Sequence, residues 1–220
     1  MEYSSTNSFV LPKFNNLISF EGIDGCGKTT QIKALQSFLE SNGYNVLCLR
    51  EPGGTEFGEK LREAILEAKQ KLPAISEAYL FASSRAQLLN ELVIPFISKS
   101  SKNICILDRF IHSSIAYQGF ARNLGANTVL NIHQHEPLNV IPNITFYLKI
   151  SIDTSFSRQA SRNQEKDYFE KEKRSFFLSL IKGYESCTNY LPSKFFTIDG
   201  EKEPDTIHKK IIDQLNLDTL

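Results

Sequence analysis

"FEGIDGCGKTTQ", residues 20–31, sets three glycines, one lysine and two threonines directly after an apolar run. Within it, Gly22-Ile23-Asp24-Gly25-Cys26-Gly27-Lys28-Thr29 satisfies G-x-x-x-x-G-K-[ST] at every fixed position. The flanks supply the setting that pattern needs. "NLISFEG" (16–22) reads as a short buried strand, and a helix is predicted from Lys28 to Ser41. Glycines at such a turn let consecutive backbone N–H groups curl around an anion, and the following helix N-terminus adds positive partial charge. The phosphates of a nucleotide are the expected occupant. Gly22, Ile23, Asp24, Gly25, Cys26, Gly27, Lys28, Thr29 and Thr30 form the expected cradle, with Lys28 as a point charge for the β and γ phosphates and the Thr29 hydroxyl as a Mg²⁺ ligand. Cys26 reads as a small filler residue within the loop. The pattern alone does not separate a kinase from a switch or a motor. A GTPase would also carry N-K-x-D, which this chain lacks.

Outward from the loop, strands alternate with helices. Gly43 closes the first helix, and "YNVLCLR" (44–50) is a second strand. "EPGGTEFG" is a loop before helical periodicity from Glu59 to Lys69. Ser76 opens a long helix in which Pro95 predicts a kink or break. "NICILD" (103–108), "NITFYLKIS" (143–151) and "KFFTID" (194–199) are the third to fifth strands. Asp153 is expected to cap a helix, a charged segment spans 158–174, and Pro204 begins the last helix. This order predicts an α/β fold with a parallel sheet covered on both faces. One domain is expected over residues 16–220, behind a leader at 1–15.

Composition narrows the partners. The 220 residues are 41% apolar and 23% charged, ordinary globular values. Lys plus Arg equals Asp plus Glu at 25 each, so no global positive field draws the chain to nucleic acid or to an anionic membrane. A bound polyanion must be held by a local site. The four cysteines form no CxxC pair, which argues against a disulfide framework or zinc site, and no apolar run approaches the roughly twenty residues of a membrane span. The N-terminus has no signal-peptide core. A cytoplasmic protein is expected.

Three further stretches describe a second substrate: "REPGGTEFGEKLR" (50–62), "LFASSRAQLLNE" (80–91) and "LDRFIHSSIAYQG" (107–119). In an open parallel sheet the strand C-termini face the ligand crevice, which brings Arg50-Glu51 and Asp108-Arg109 beside the phosphate loop. Phe81 and Arg85 are four apart on one helix face, where a ring and a guanidinium can serve a flat base. Taken together, these stretches resemble the bacterial thymidylate kinases from about residue 17 to the last helix. The resemblance implies a P-loop kinase fold with a five-stranded parallel sheet, a mobile lid at about 158–174, transfer of the ATP γ-phosphoryl to dTMP, Mg²⁺ dependence and a homodimer. It also implies residue roles. Phe81 stacks on thymine and Arg85 bonds a base carbonyl. Arg62 and Arg109 hold the dTMP phosphate, Ser114 lies near the base edge and Tyr117 packs under the deoxyribose. Asp24 lies near the 3′-OH, Asp108 acts on Mg²⁺, and Glu51 positions Mg²⁺ or the phosphate arginines.

The chain departs from that resemblance in the lid. Relatives with a plain glycine where this chain has Gly25 often carry a D-R-x-E pattern there, whereas Asp167-Tyr168-Phe169-Glu170 has tyrosine in place of the arginine. Arg158 and Arg162, with Lys28 and Arg109, are the expected catalytic cations, and Lys166 is a substitute. A kinase for another nucleoside or monophosphate, and a regulatory ATPase, are the competing readings.

Overall fold

A computed structural model describes residues 13–161 and 167–215. Five strands, β1 (Lys13–Glu21), β2 (Asn45–Arg50), β3 (Asn103–Asp108), β4 (Ile141–Lys149) and β5 (Lys194–Asp199), form one parallel sheet in the order β2-β3-β1-β4-β5. Side chains of β1 alternate between two cores. Ile18 and Phe20 enter one apolar cluster, while Leu17 enters another with Leu88, Cys105 and Ile111, so both faces of the sheet are covered. Ser19, between them, is fully buried and is satisfied by a 2.9 Å hydrogen bond to Thr145.

The helices are α1 (Lys28–Ser41), α2 (Glu56–Leu66), α3 (Ala74–Leu88), α4 (Ile94–Ile97), α5 (Ile111–Ser114), α6 (Ala126–Ile132), α7 (Ile152–Ala160), α8 (Arg174–Ser186) and α9 (Pro204–Gln214). Several begin earlier than the periodicity predicts. Thr55 caps α2, its hydroxyl accepting from the Gly58 N–H at 3.0 Å, and α3 opens after Pro73 rather than at Ser76. Ser151, not Asp153, caps α7 through the Thr154 N–H. β1 starts at Lys13, inside the expected leader, because a register shift between Phe14 and Ile18 lets the polar Asn15-Asn16 pair pass without ending the strand.

Pro95 produces neither a break nor a free end. A π-helical turn over Leu89–Val93 precedes it, with the Ile94 N–H bonded to the Leu89 carbonyl, and Pro95 falls in the first turn of α4, where its missing N–H leaves no gap. A second π segment, Ile115–Ala121, continues α5 and carries Tyr117 and Gln118. Helix α8 lies directly on it: a Cβ at Gly183 would come within 2.7 Å of the Ala116 Cα, so only glycine permits that approach.

Register then builds the crevice. Phe20 and Arg50 are both paired with Asp108, so the residues after β1, β2 and β3 emerge side by side. They are the phosphate loop, the "EPGG" loop and the turn at Arg109.

Candidate active site

Two cavities open at that edge. The larger, about 510 Å³, is lined by Asp24 to Gln31 of the phosphate loop and α1, by Asp108 and Arg158, and by the β5–α9 connection from Gly200 to Pro204. The smaller, about 80 Å³, is lined by Phe81, Tyr117, Phe169, Ser113, Ser114, Gln118, Leu66, Pro52 and Asp167. Asp24, Glu51, Arg62 and Arg109 belong to both linings and form the wall where the two meet.

The phosphate loop is held from beneath. A Cβ at Gly22, whose φ is +139°, would lie 2.5 Å from the Leu148 carbonyl oxygen and 2.7 Å from the Cys26 sulfur. Side chains are excluded there by space as well as by backbone. The Lys28 ammonium is buried, donates to the Gly22 carbonyl at 3.2 Å and stands 3.8 Å from the Asp108 carboxylate. Thr29 and Thr30 are exposed at the start of α1 and line the larger cavity. Cys26 is buried, and burial pushes its thiol up, consistent with an inert packing residue. Ile23, also buried, belongs to the core rather than to the cavity lining.

Arg109 joins the loop to the third strand. Its backbone φ is +74°, an uncommon conformation for a residue with a side chain. Its N–H bonds the Phe20 carbonyl at 2.9 Å. The guanidinium donates to Asp24 at 2.7 Å, to the Gly22 carbonyl at 2.9 Å and to the Tyr184 hydroxyl at 2.9 Å, and lies over the Tyr117 ring. Burial opposes its charge, but Tyr117, Asp24 and Tyr184 hold its pKa well above the ordinary arginine value. Arg62, on α2, donates to the Pro52 carbonyl at 2.9 Å and faces both cavities.

Arg85, given a base carbonyl in the expectation, is held by buried protein partners. It is 1% exposed, lines neither cavity, and lies behind the wall. It bonds Glu51 through Nε at 2.7 Å, the Ser114 hydroxyl at 2.9 Å and His133 Nε2 at 2.7 Å, with its plane over the Phe110 ring. Beside a permanent cation, His133 Nε2 must accept, which leaves Nδ1–H to donate to the Val129 carbonyl at 2.8 Å. Burial and Arg85 push this imidazole down to about 3. Glu51 is likewise tied to Arg85 rather than to the phosphate arginines. Burial pushes its carboxyl up while Arg85 pulls it back, and its Oε1 has no hydrogen-bond partner. A buried, paired arginine thus orients two wall residues, Glu51 and Ser114.

Arg158 bridges the two sides of the larger cavity, donating to the Gly25 carbonyl at 3.0 Å and the Gly200 carbonyl at 3.2 Å. Its guanidinium therefore ties the phosphate loop to the β5–α9 connection. Arg162 and Lys166 lie outside the described residues. Tyr168, in the arginine's place, lines neither cavity: its hydroxyl accepts from the Leu72 N–H at 3.0 Å and its ring packs on Arg122. Arg122 is held by Glu77 and Glu172 and surrounded by the rings of Tyr168, Phe169 and Phe176. That cluster fastens the segment from 167 to 173 onto α3 and the second π segment.

Sequence reasoning missed several lining residues. Gln118, Ser113 and Phe169 sat within quoted motifs, and Ser113, Tyr117 and Ser114, Gln118 repeat at i, i+4, which is the signal that was available. The Gly200–Pro204 wall follows the C-terminus of β5, where the crevice rule for parallel sheets applies. The donor set also fits Mg²⁺. One hydroxyl and one carboxylate, Thr29 and Asp108, suit an ion that keeps waters and takes further oxygens from phosphates, and no all-protein metal cluster occurs among the described residues.

The sequence as a whole is similar to known proteins. The family model described as thymidylate kinase matches residues 20–211. A thymidylate kinase of Thermoanaerobacter sp. (strain X514) is 43% identical over 196 residues, covering 89% of this chain and 95% of that protein. Those of Caldanaerobacter subterraneus subsp. tengcongensis, 42% identical over 200 residues, and Fervidobacterium nodosum, 41% identical over 199, cover 89% and 90% of this chain and 92% and 98% of their own lengths. The chain belongs to the thymidylate kinase family.

Proposed function

We propose that this family member transfers the γ-phosphoryl of ATP to dTMP across the wall formed by Asp24, Glu51, Arg62 and Arg109. That shared wall carries the reading: a polar cavity with a phosphate loop meets a small aromatic cavity at two arginines. Thymidylate kinases make dTDP from dTMP with ATP and Mg²⁺. The donor phosphates lie against Gly22–Thr30, with Lys28 neutralising the β and γ groups. The base enters between Phe81 and Tyr117, with Ser114 at its edge, and Arg62 and Arg109 hold the acceptor phosphate in line with the donor. Thr29 and Asp108 would hold Mg²⁺, which when bound neutralises phosphate charge. Such transfer needs little covalent help and much charge neutralisation and positioning. Asp24, bonded to Arg109, meets the deoxyribose 3′-OH in this reading.

The lid at about 158–174 completes the site in this reading. Arg158, already at the donor cavity, steadies the donor from the side, and Arg162 supplies charge to the transferring group. The exposed apolar pair Ile75 and Tyr79, four apart on α3, supports a homodimer through that helix. A cytoplasmic location accords with four unpaired cysteines. Among the described residues no helix is long and apolar enough to cross a membrane.

The test is a coupled assay with ATP, Mg²⁺ and a panel of monophosphates. A methyl group in an apolar pocket is worth about 1–3 kcal/mol, so dTMP exceeds dUMP in kcat/KM by roughly 10- to 200-fold and purine monophosphates are rejected. AMP or dGMP as the better acceptor overturns the reading.

A further inference from the structure

Glu21 is fully buried, lines neither cavity and has no part in the transfer as described. Its carboxylate is nevertheless two hydrogen bonds deep in the turn that presents Arg109. Oε1 accepts from the Phe110 N–H at 2.8 Å and Oε2 from the Ser113 hydroxyl at 2.6 Å. Ser113 Oγ is in turn 2.9 Å from the Tyr184 hydroxyl, which accepts from Arg109 at 2.9 Å. We infer that Glu21 is a positioning residue for Arg109, acting through the hydroxyls of Ser113 and Tyr184.

The direction of the chain carries the inference. Above about pH 7, where Glu21 is ionised despite its burial, its carboxylate only accepts, so Ser113 donates to Glu21, Tyr184 donates to Ser113, and the lone pairs of Tyr184 face Arg109. Each proton points from the guanidinium toward the carboxylate, and each link polarises the next. Replacing the carboxylate by an amide gives Ser113 a donor where it had an acceptor. Its proton then turns to Tyr184, whose own proton is driven toward the Arg109 N–H groups. The same carboxylate also pins the N–H following the positive-φ residue, so it supports both the strained backbone of Arg109 and its guanidinium. His112 Nδ1, 3.9 Å from Glu21, does not neutralise it, because burial pushes that imidazole down to about 3.

This inference rests on Arg109 serving the acceptor phosphate. The experiment is steady-state kinetics on the full chain for Glu21→Gln, Tyr184→Phe, their double mutant and Arg109→Ala, with dTMP and ATP varied separately. Each single substitution in the chain lowers kcat/KM for dTMP by about 10- to 100-fold, the range of one charge-assisted hydrogen bond. KM for ATP stays within about twofold, and the double mutant is no worse than the more damaging single one. Wild-type kcat/KM for Glu21→Gln, equal losses on the ATP side, or strictly additive losses overturn the inference. If Glu21→Gln does not fold, Tyr184→Phe and Ser113→Ala decide: both lower kcat/KM for dTMP alone if the chain operates, and wild-type values for both overturn it. Wild-type kinetics for Arg109→Ala removes the role of Arg109 and this inference with it. Loss in Arg109→Ala beside wild-type Glu21→Gln removes only the inference.

Discussion

The donor and acceptor cavities share a wall but are made by different means. The donor cavity is built around a contiguous glycine-rich loop and the connection after β5, with Lys28 bonded to the Gly22 carbonyl of its own loop. The acceptor cavity is built of side chains from three separated segments, Phe81 on α3, Tyr117 on the second π segment and Phe169 after residue 166. Behind it stand two paired arginines, Arg85 and Arg122, that line neither of these two cavities. A site made by a contiguous loop tolerates changes around it and fails when the buried charge on that loop, Lys28, is lost. A side-chain site depends on the packing that holds each wall residue.

The largest effect falls on the donor side. Lys28→Ala folds normally and, by comparison with other phosphoryl-stabilising cations, loses roughly 10³- to 10⁵-fold in turnover, about 4–7 kcal/mol. Retention of a tenth of wild-type turnover breaks the contrast. On the acceptor side the matching change strikes stability. Glu51→Ala strands the Arg85 guanidinium in the core, and removal of one partner of a buried pair lowers unfolding free energy by about 3–5 kcal/mol in chemical denaturation. A loss below about 1 kcal/mol would show that Arg85 is solvated or otherwise paired.

Glu21 sharpens the contrast by moving function and stability in opposite directions. Burial pushes its carboxyl from 4.5 up to about 7, so the folded chain holds that proton more tightly than the unfolded chain does. Stability from this group is present below pH 4.5 and is lost as pH rises to about 7. Wild type therefore loses about 3 kcal/mol relative to Glu21→Gln between pH 4.5 and 7. Urea unfolding of both proteins at pH 5 and pH 8 measures it, and an unchanged difference refutes it. The smallest effect is a helix cap. Thr55→Ala removes the acceptor for the Gly58 N–H at the head of the helix that carries Arg62, and lowers stability by about 1 kcal/mol.

The same contrast explains what could be read from the sequence. The phosphate loop and its flanking strand and helix were legible because a contiguous pattern encodes a backbone shape. The strand–helix alternation likewise yielded the parallel sheet. The acceptor site was legible only as residue types on three separate segments, since nothing local says that Arg85 faces Glu51, thirty-four residues away. Pro95 misled because proline ordinarily ends a helix, and the π turn that absorbs it leaves no mark in periodicity. Ser151 and Asp153 are both cap-forming residue types, and the Ser151 hydroxyl is the one that accepts from the Thr154 N–H.

The lining of the acceptor cavity bears on the heat capacity of binding. Aromatic rings in mutual contact, Phe169 with Tyr117 and with Phe81, share the lining of this cavity of about 80 Å³ with the polar wall of Asp24, Glu51, Arg62 and Arg109. A pyrimidine that replaces water against those rings buries apolar surface, so its association carries a negative heat-capacity change. Nucleotide at the polar donor cavity exchanges water contacts for backbone N–H groups and for cations that include Lys28 and Arg158, and its affinity carries the stronger dependence on ionic strength. Two ligands that meet at one wall thus bind with separate thermodynamic signatures.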